Sequence, residues 1–281
     1  MSSDQNPESF EQAPPQSPER KSFIELTRKL ASLPLDQAAA ALETSAAIAG
    51  ISLRAAVEFL RAAPLASQVF KANDLKLWGE LGRRLAMGDY DAAASFFTEG
   101  VVQYEQVPST LHGEILELCV RQMTLSTAVG KETFTILPAI VTEINDESFF
   151  KSMLSIASEI ARRSAKHSSD FLKSSADVSA ALKAEGDKAV VEKALDLAGA
   201  FAARAGGIAA DAWAALPHAI ADLSPVDAVR LLNRAHEFLE RGGGAAHTYS
   251  FLVVNSCGAL RKSSTTGSSC CRSSPSMGMP V

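Results

Sequence analysis

"AFAARAGGIAADAWAALPHAIADL", residues 200–223, reads as a helix, a corner at Gly206–Gly207, and a second helix. Alanine has the best helix propensity, and glycine ends a helix cheaply. One bulky ring, Trp213, sits among alanines and is followed by Leu216-Pro217. Five other stretches fall under this one when it is moved along the chain. They are "AGISLRAAVEFLRAAPLASQVF" (49–70), "AMGDYDAAASFFTEGVVQYEQV" (86–107), "TAVGKETFTILPAIVTEI" (127–144), "AKHSSDFLKSSADVSAAL" (165–182) and "GGGAAHTYSFLVVNSCGAL" (242–260). Each carries an aromatic at a matching place, giving Phe59, Phe97, Phe134, Phe171, Trp213 and Tyr249, at steps of 38, 37, 37, 42 and 36 residues.

The flanks repeat as well. Leu60, Leu137, Leu172, Leu216 and Leu252 follow the rings, and Pro64, Pro138 and Pro217 come next. A leucine-rich helix precedes each ring, as in "LWGELGRRLAMG", "ILELCVRQMTLS", "LSIASEIARRSA", "LDLAGAFAARAG" and "LNRAHEFLERGG". Arg163, Arg204 and Arg241 close three of them, where a cation complements the helix dipole. The unit is therefore two helices and a turn, with a period near 37 residues. Such a unit buries its apolar face only by stacking on neighbours. The expected fold is all-α, an α-solenoid of tandem hairpins with turns near Gly88, Gly130, Gly206 and Gly243. Two readings of the six rings stay open: knobs in the core, or the lining of a groove for a partner. Rings flanked by Ala and Leu at helical spacing favour the core.

The chain has 281 residues, 47% of them hydrophobic, 6% aromatic and 21% charged, with a net charge of −5. That composition is globular and long enough for a sizeable core. The acidic balance argues against a nucleic-acid surface. No apolar run reaches the ~18 residues of a membrane span, and the N-terminus lacks the apolar stretch of a signal peptide. Cys119, Cys257, Cys270 and Cys271 show no CxxC spacing, so neither a disulfide framework nor zinc is expected, and a reducing cytoplasm is. Residues 1–20 hold Pro7, Pro14, Pro15 and Pro18 and are expected to be disordered. The helical-repeat domain is expected over 21–261, and a disordered Ser-rich tail over 262–281. No polar capping repeat follows the last unit. Either the array continues in a longer protein, of which this chain is a truncated or frame-shifted version, or the tail is natural.

A search for chemistry ends without a constellation. "HEFLE", His236–Glu240, has Glu240 where a zinc-protease helix needs a second His. "DVSAA", Asp177–Ala181, lacks the last oxygen of an Asp-x-Ser-x-Ser metal motif. "ERGGGAAH" has neither the lysine nor the strand of a phosphate loop. No Gly-x-Ser-x-Gly elbow is present. No catalytic, cofactor-binding or metal residue is assigned, and no cofactor is expected.

Two resemblances add to this reading. "LWGELGRRLAMGDYDAAASFF", residues 77–97, resembles one tetratricopeptide repeat through Trp78, Leu81, Gly82 and the turn Gly88–Ala93. The array over residues 40–260 resembles the helical-repeat region that precedes a von Willebrand factor A domain in large bacterial proteins of the nitric oxide reductase activation type. The phrases that carry this are "EIARRSAKHSSDFL", "AFAARAGGIAADAWAALP" and "EFLERGGGAAHTY". It implies a role in assembly or maturation of a partner complex, with no functional residue to carry over. The expected function is a non-catalytic, protein-binding scaffold, with a protein partner and neither nucleic acid nor membrane. The alternatives are a tetratricopeptide-like adaptor for peptides and a helical enzyme with an unrecognised site.

Overall fold

The computed structural model describes residues 17–263, all of it helix and connecting turn with no strand. The expectations for residues 1–16 and 264–281 lie outside these. At the ends of the described chain, the first helix starts at Pro18 and the last runs to Ser263, slightly beyond the expected bounds. Ser17 caps that first helix and Pro18 stands in its first turn, where a missing N–H costs nothing.

The chain divides into two compact units, the first ending at Ser169 and the second starting at Asp170. Unit one holds α1 (Pro18–Lys29), α2 (Leu35–Ala49), α3 (Leu53–Val69), α4 (Ala72–Ala86), α5 (Tyr90–Glu99), α6 (His112–Leu125), α7 (Thr127–Ile144) and α8 (Glu147–Ala161). The boundary falls inside α9 (Ala165–Lys173). Unit two holds α10 (Ser175–Glu185), α11 (Lys188–Arg204), α12 (Gly206–Ile220), α13 (Pro225–Glu240) and α14 (Ala245–Ser263).

Within each unit, most helix contacts join chain neighbours or a helix and the next but one. In unit one α2, α4, α6 and α8 form a first-helix row, and α1, α3 and α5 a second-helix row. In unit two α11 packs on α13, while α10, α12 and α14 make the other row. Stacking of this kind completes a core that no hairpin could close alone. The core is rich in alanine: Ala40, Ala41, Ala55, Ala56, Ala63 and Ala66 are all buried, which lets helices approach closely.

Local chemistry sets the period. The residues that precede the second helices of unit one are Ser52, Asp89, Ser126 and Ser164, at intervals of 37, 37 and 38 residues. Ser52 accepts from the Ala55 amide, Asp89 from those of Asp91 and Ala92, and Ser164 from His167. Each satisfies N–H groups that a helix start leaves unpaired.

One expected turn needs correcting. Gly130 lies not at a turn but in the first turn of α7, where a Cβ would come within 2.9 Å of the Cys119 carbonyl oxygen and 2.3 Å of Met123. The turn falls at Ser126. The turn near Gly206 is there, at Ala205, with Gly206 the first residue of α12. The fourth second helix is broken. Ser174 and Ser175 turn their hydroxyls back onto the Asp170 and Phe171 carbonyls, and α10 restarts from there. The extra short helix accounts for the long step of 42 residues between Phe171 and Trp213.

Candidate functional site

Phe59, Phe97, Phe134, Phe171 and Trp213 are buried in the second helices α3, α5, α7, α9 and α12. In unit one they belong to a continuous ring cluster. Phe59 meets Phe97 edge-on at 5.2 Å, Trp78 lies against both, and Phe96 links Phe97 to Phe134, at 4.8 Å from the latter. Such tilted and edge-on pairs suit the ring quadrupoles. The Phe97 ring lies over Gly82, where a Cβ would come within 1.9 Å of it. The glycine of the tetratricopeptide-like Trp-x-x-Leu-Gly stretch is thus a socket for a ring.

Proline explains a further contact. Pro138 has no N–H to give to Phe134, four residues back. The freed Phe134 carbonyl accepts the buried Tyr104 hydroxyl at 3.0 Å, and the two rings stack at 4.6 Å. Burial pushes the Tyr104 hydroxyl well above its usual range, so it stays a donor. In unit two Trp213 stacks on Phe171 at 5.1 Å. Its indole N–H donates to Ser175 Oγ at 2.9 Å, and that hydroxyl donates to the Phe171 carbonyl. The ring thereby closes the chain break at Ser174.

Tyr249 departs from this set. It is half-buried, whereas Leu252 is 1% exposed. Counted from the residue before each second helix, the buried ring lies seven or eight positions on. In α14 the eighth position after Gly244 is Leu252.

With these rings inside, two open concavities of unit one lie between hairpins. A groove of about 290 Å³ runs between α2 and α4. Ala47, Thr44 and Gly79 form its small-residue floor, and Glu43, Lys76, Glu80 and Arg83 line it. Lys76 bonds Glu43 across the groove. The Arg83 guanidinium, hydrogen-bonded to Glu80, holds that carboxyl below its usual range, and Arg84 adds to it. The two carboxylates and two cations that line the groove balance in charge. A second depression, of about 400 Å³, is lined at the turns by Ser52, Arg54, Gly88, Asp89, Tyr90 and Asp91, with Arg54 and Asp91 paired at 2.8 Å. In unit two a small cleft of about 10 Å³ beside Trp213 is lined by Ala194, Leu197, Ala198, Phe201, Ala212, Leu216 and Leu252. It is apolar and at the lower limit for a single water.

The groove residues did not emerge from the periodic reading, yet they left a signal. Polar partners on successive hairpins sit about one period apart: Glu43 and Lys76 by 33, Arg54 and Asp91 by 37, Thr110 and Glu147 by 37, and Arg84 and Thr124 by 40 residues.

The candidates for chemistry are dispersed. Among the described residues no group of three His, Cys, Asp or Glu could hold a metal ion. His236 reaches Glu240 at 3.9 Å across one helical turn. Asp177–Ala181 lies within α10. Cys119 is buried, and desolvation pushes its thiol far up, which disfavours the nucleophilic thiolate. His112 is buried, with Nε2 at 3.0 Å from the Val107 carbonyl and its ring edge-on to Phe70 at 5.3 Å. Also among the described residues, no helix is long and apolar enough to cross a membrane. Comparison of the chain with models of known protein families, with curated proteins and with solved structures gives no match.

Proposed function

We propose that the chain is a non-catalytic scaffold that binds a protein partner through the outer surface of its first-helix row. The α2–α4 groove carries this reading. Its floor is too small-sided to need filling from within, and its walls present fixed charges of both signs to solvent. That combination suits a peptide segment whose side chains supply the missing bulk and complementary charge. Phe59, Phe97, Phe134, Phe171, Trp213, the thiol and His112 are committed to packing. Cysteine usage supports a cytoplasmic setting.

The test is selection of a displayed random-peptide library on the folded chain. Enriched peptides are expected to share one short motif. Their binding should be lost in Ala47→Arg, which blocks the floor at an exposed position, with helicity unchanged. Failure to enrich a motif, or binding indifferent to Ala47→Arg, would overturn the proposal.

A further inference from the structure

The two helical rows of unit one begin differently. The second-helix row opens with α1, which packs on α3, has no buried residue of its own and carries Lys21, Glu25, Arg28 and Lys29 at exposed positions. The first-helix row opens with α2, whose main helix partners, α3 and α4, take the face carrying Ala40, Ala41, Thr44, Ser45 and Ile48. The opposite face carries Leu35, Ala39, Leu42 and Ala46. All four are exposed, Leu35 by 87% and Leu42 by 42%. Steps of four, three and four residues make a straight apolar seam, the spacing that joins one helix to another.

We propose that this seam binds a second copy of the chain, α2 against α2, antiparallel about a two-fold axis. The order of side chains argues for that occupant. Set antiparallel with 39 opposite 42, the seam places Leu35 against Ala46 of the second copy and Ala39 against its Leu42. Every leucine then meets an alanine, and the same holds when the copies are exchanged, as a two-fold contact requires. Large opposite small is the arrangement that lets two helices interdigitate. Asp36 lies beside Glu43 of the second copy in this register. Lys76, bonded to Glu43 within its own chain, offsets that carboxylate. Residues 1–16 are a poor alternative occupant: their apolar side chains are Met1, Phe10 and Ala13, interrupted by Pro7, Pro14 and Pro15. A helix of 15 residues is only about 22 Å long. One such pair falls below a standard interface, so the dimer should be weak and dissociate on dilution.

Sedimentation equilibrium over a wide concentration range reads this out, with circular dichroism confirming the fold of each variant. The native chain is expected to move from monomer to dimer as concentration rises. Leu42→Asp should raise the dissociation constant by ~10-fold or more. Ala39→Leu adds apolar surface yet sets leucine against leucine, so it should also weaken the dimer. The swap Ala39→Leu with Leu42→Ala restores large against small and should recover it. Ala39→Leu alters no buried group and keeps the test sharp if Leu42→Asp unfolds. A chain monomeric throughout, a dimer indifferent to Leu42→Asp in a folded variant, or tighter association in Ala39→Leu would each overturn the proposal.

Discussion

Tyr104 shows how one side chain answers for a backbone fault elsewhere. Pro138 removes a helical donor, and the Tyr104 hydroxyl, 30 residues away, takes the orphaned Phe134 carbonyl. Tyr104→Phe keeps the stacked ring and deletes only that donor. It should cost about 1–3 kcal/mol, the range for a buried acceptor left unpaired, read as a lower denaturant midpoint with unchanged slope. The prolines and the rings were both legible in the sequence, but the bond between them was not. Nothing in a linear pattern tells which distant hydroxyl reaches a freed carbonyl. Tyr249 failed for a related reason: alignment by ring type ignored the distance from the helix start, and Leu252 holds the buried place.

At the scale of the element, helix starts proved more regular than helix contents. Ser52, Asp89 and Ser164 each hold amides at the start of a second helix. Asp89→Ala should therefore cost about 1 kcal/mol. Amide exchange should rise first in α5, whose ten residues give it little cooperative length. Unchanged protection in α5 would show that packing on α3 and α4 alone sets its stability. The hairpins were readable because apolar spacing agrees with the corners at Gly88 and Gly243. The break at Ser174 was not, because serine disrupts a helix only when its hydroxyl turns back to a carbonyl, as Ser174 and Ser175 do. Gly130 misled in the opposite sense: it is glycine because α6 runs too close for a side chain, not because the chain turns.

For the molecule as a whole, the consequence of two compact units is divided stability. Trp213 is 2% exposed, stacks on Phe171 and holds Ser175, all within unit two. Truncation to Ala should cost about 3–5 kcal/mol, as for other core aromatics. Hydrogen exchange should show the loss over residues 170–254 and leave α2–α6 at native protection, since stacked repeats transmit stability through nearest neighbours. An even loss along the chain would mean one cooperative globule. The all-helical class was legible from composition and period. The division into units was not, since a 37-residue repeat looks the same on both sides of the boundary.

The seat of Phe97 on Gly82 has a hereditary side. A methyl group at position 82 would stand 1.9 Å from the ring, so the two positions cannot drift separately. In a lineage of related chains, 82 could acquire a side chain only where 97 had already given up its aromatic ring, and a ring at 97 would hold 82 to glycine. The pair would travel as a single inherited trait although 15 residues separate its members. The laboratory counterpart is that Gly82→Ala is severe in the native background and mild once Phe97 is Leu. Strictly additive effects in thermal unfolding would show the two positions free to vary alone.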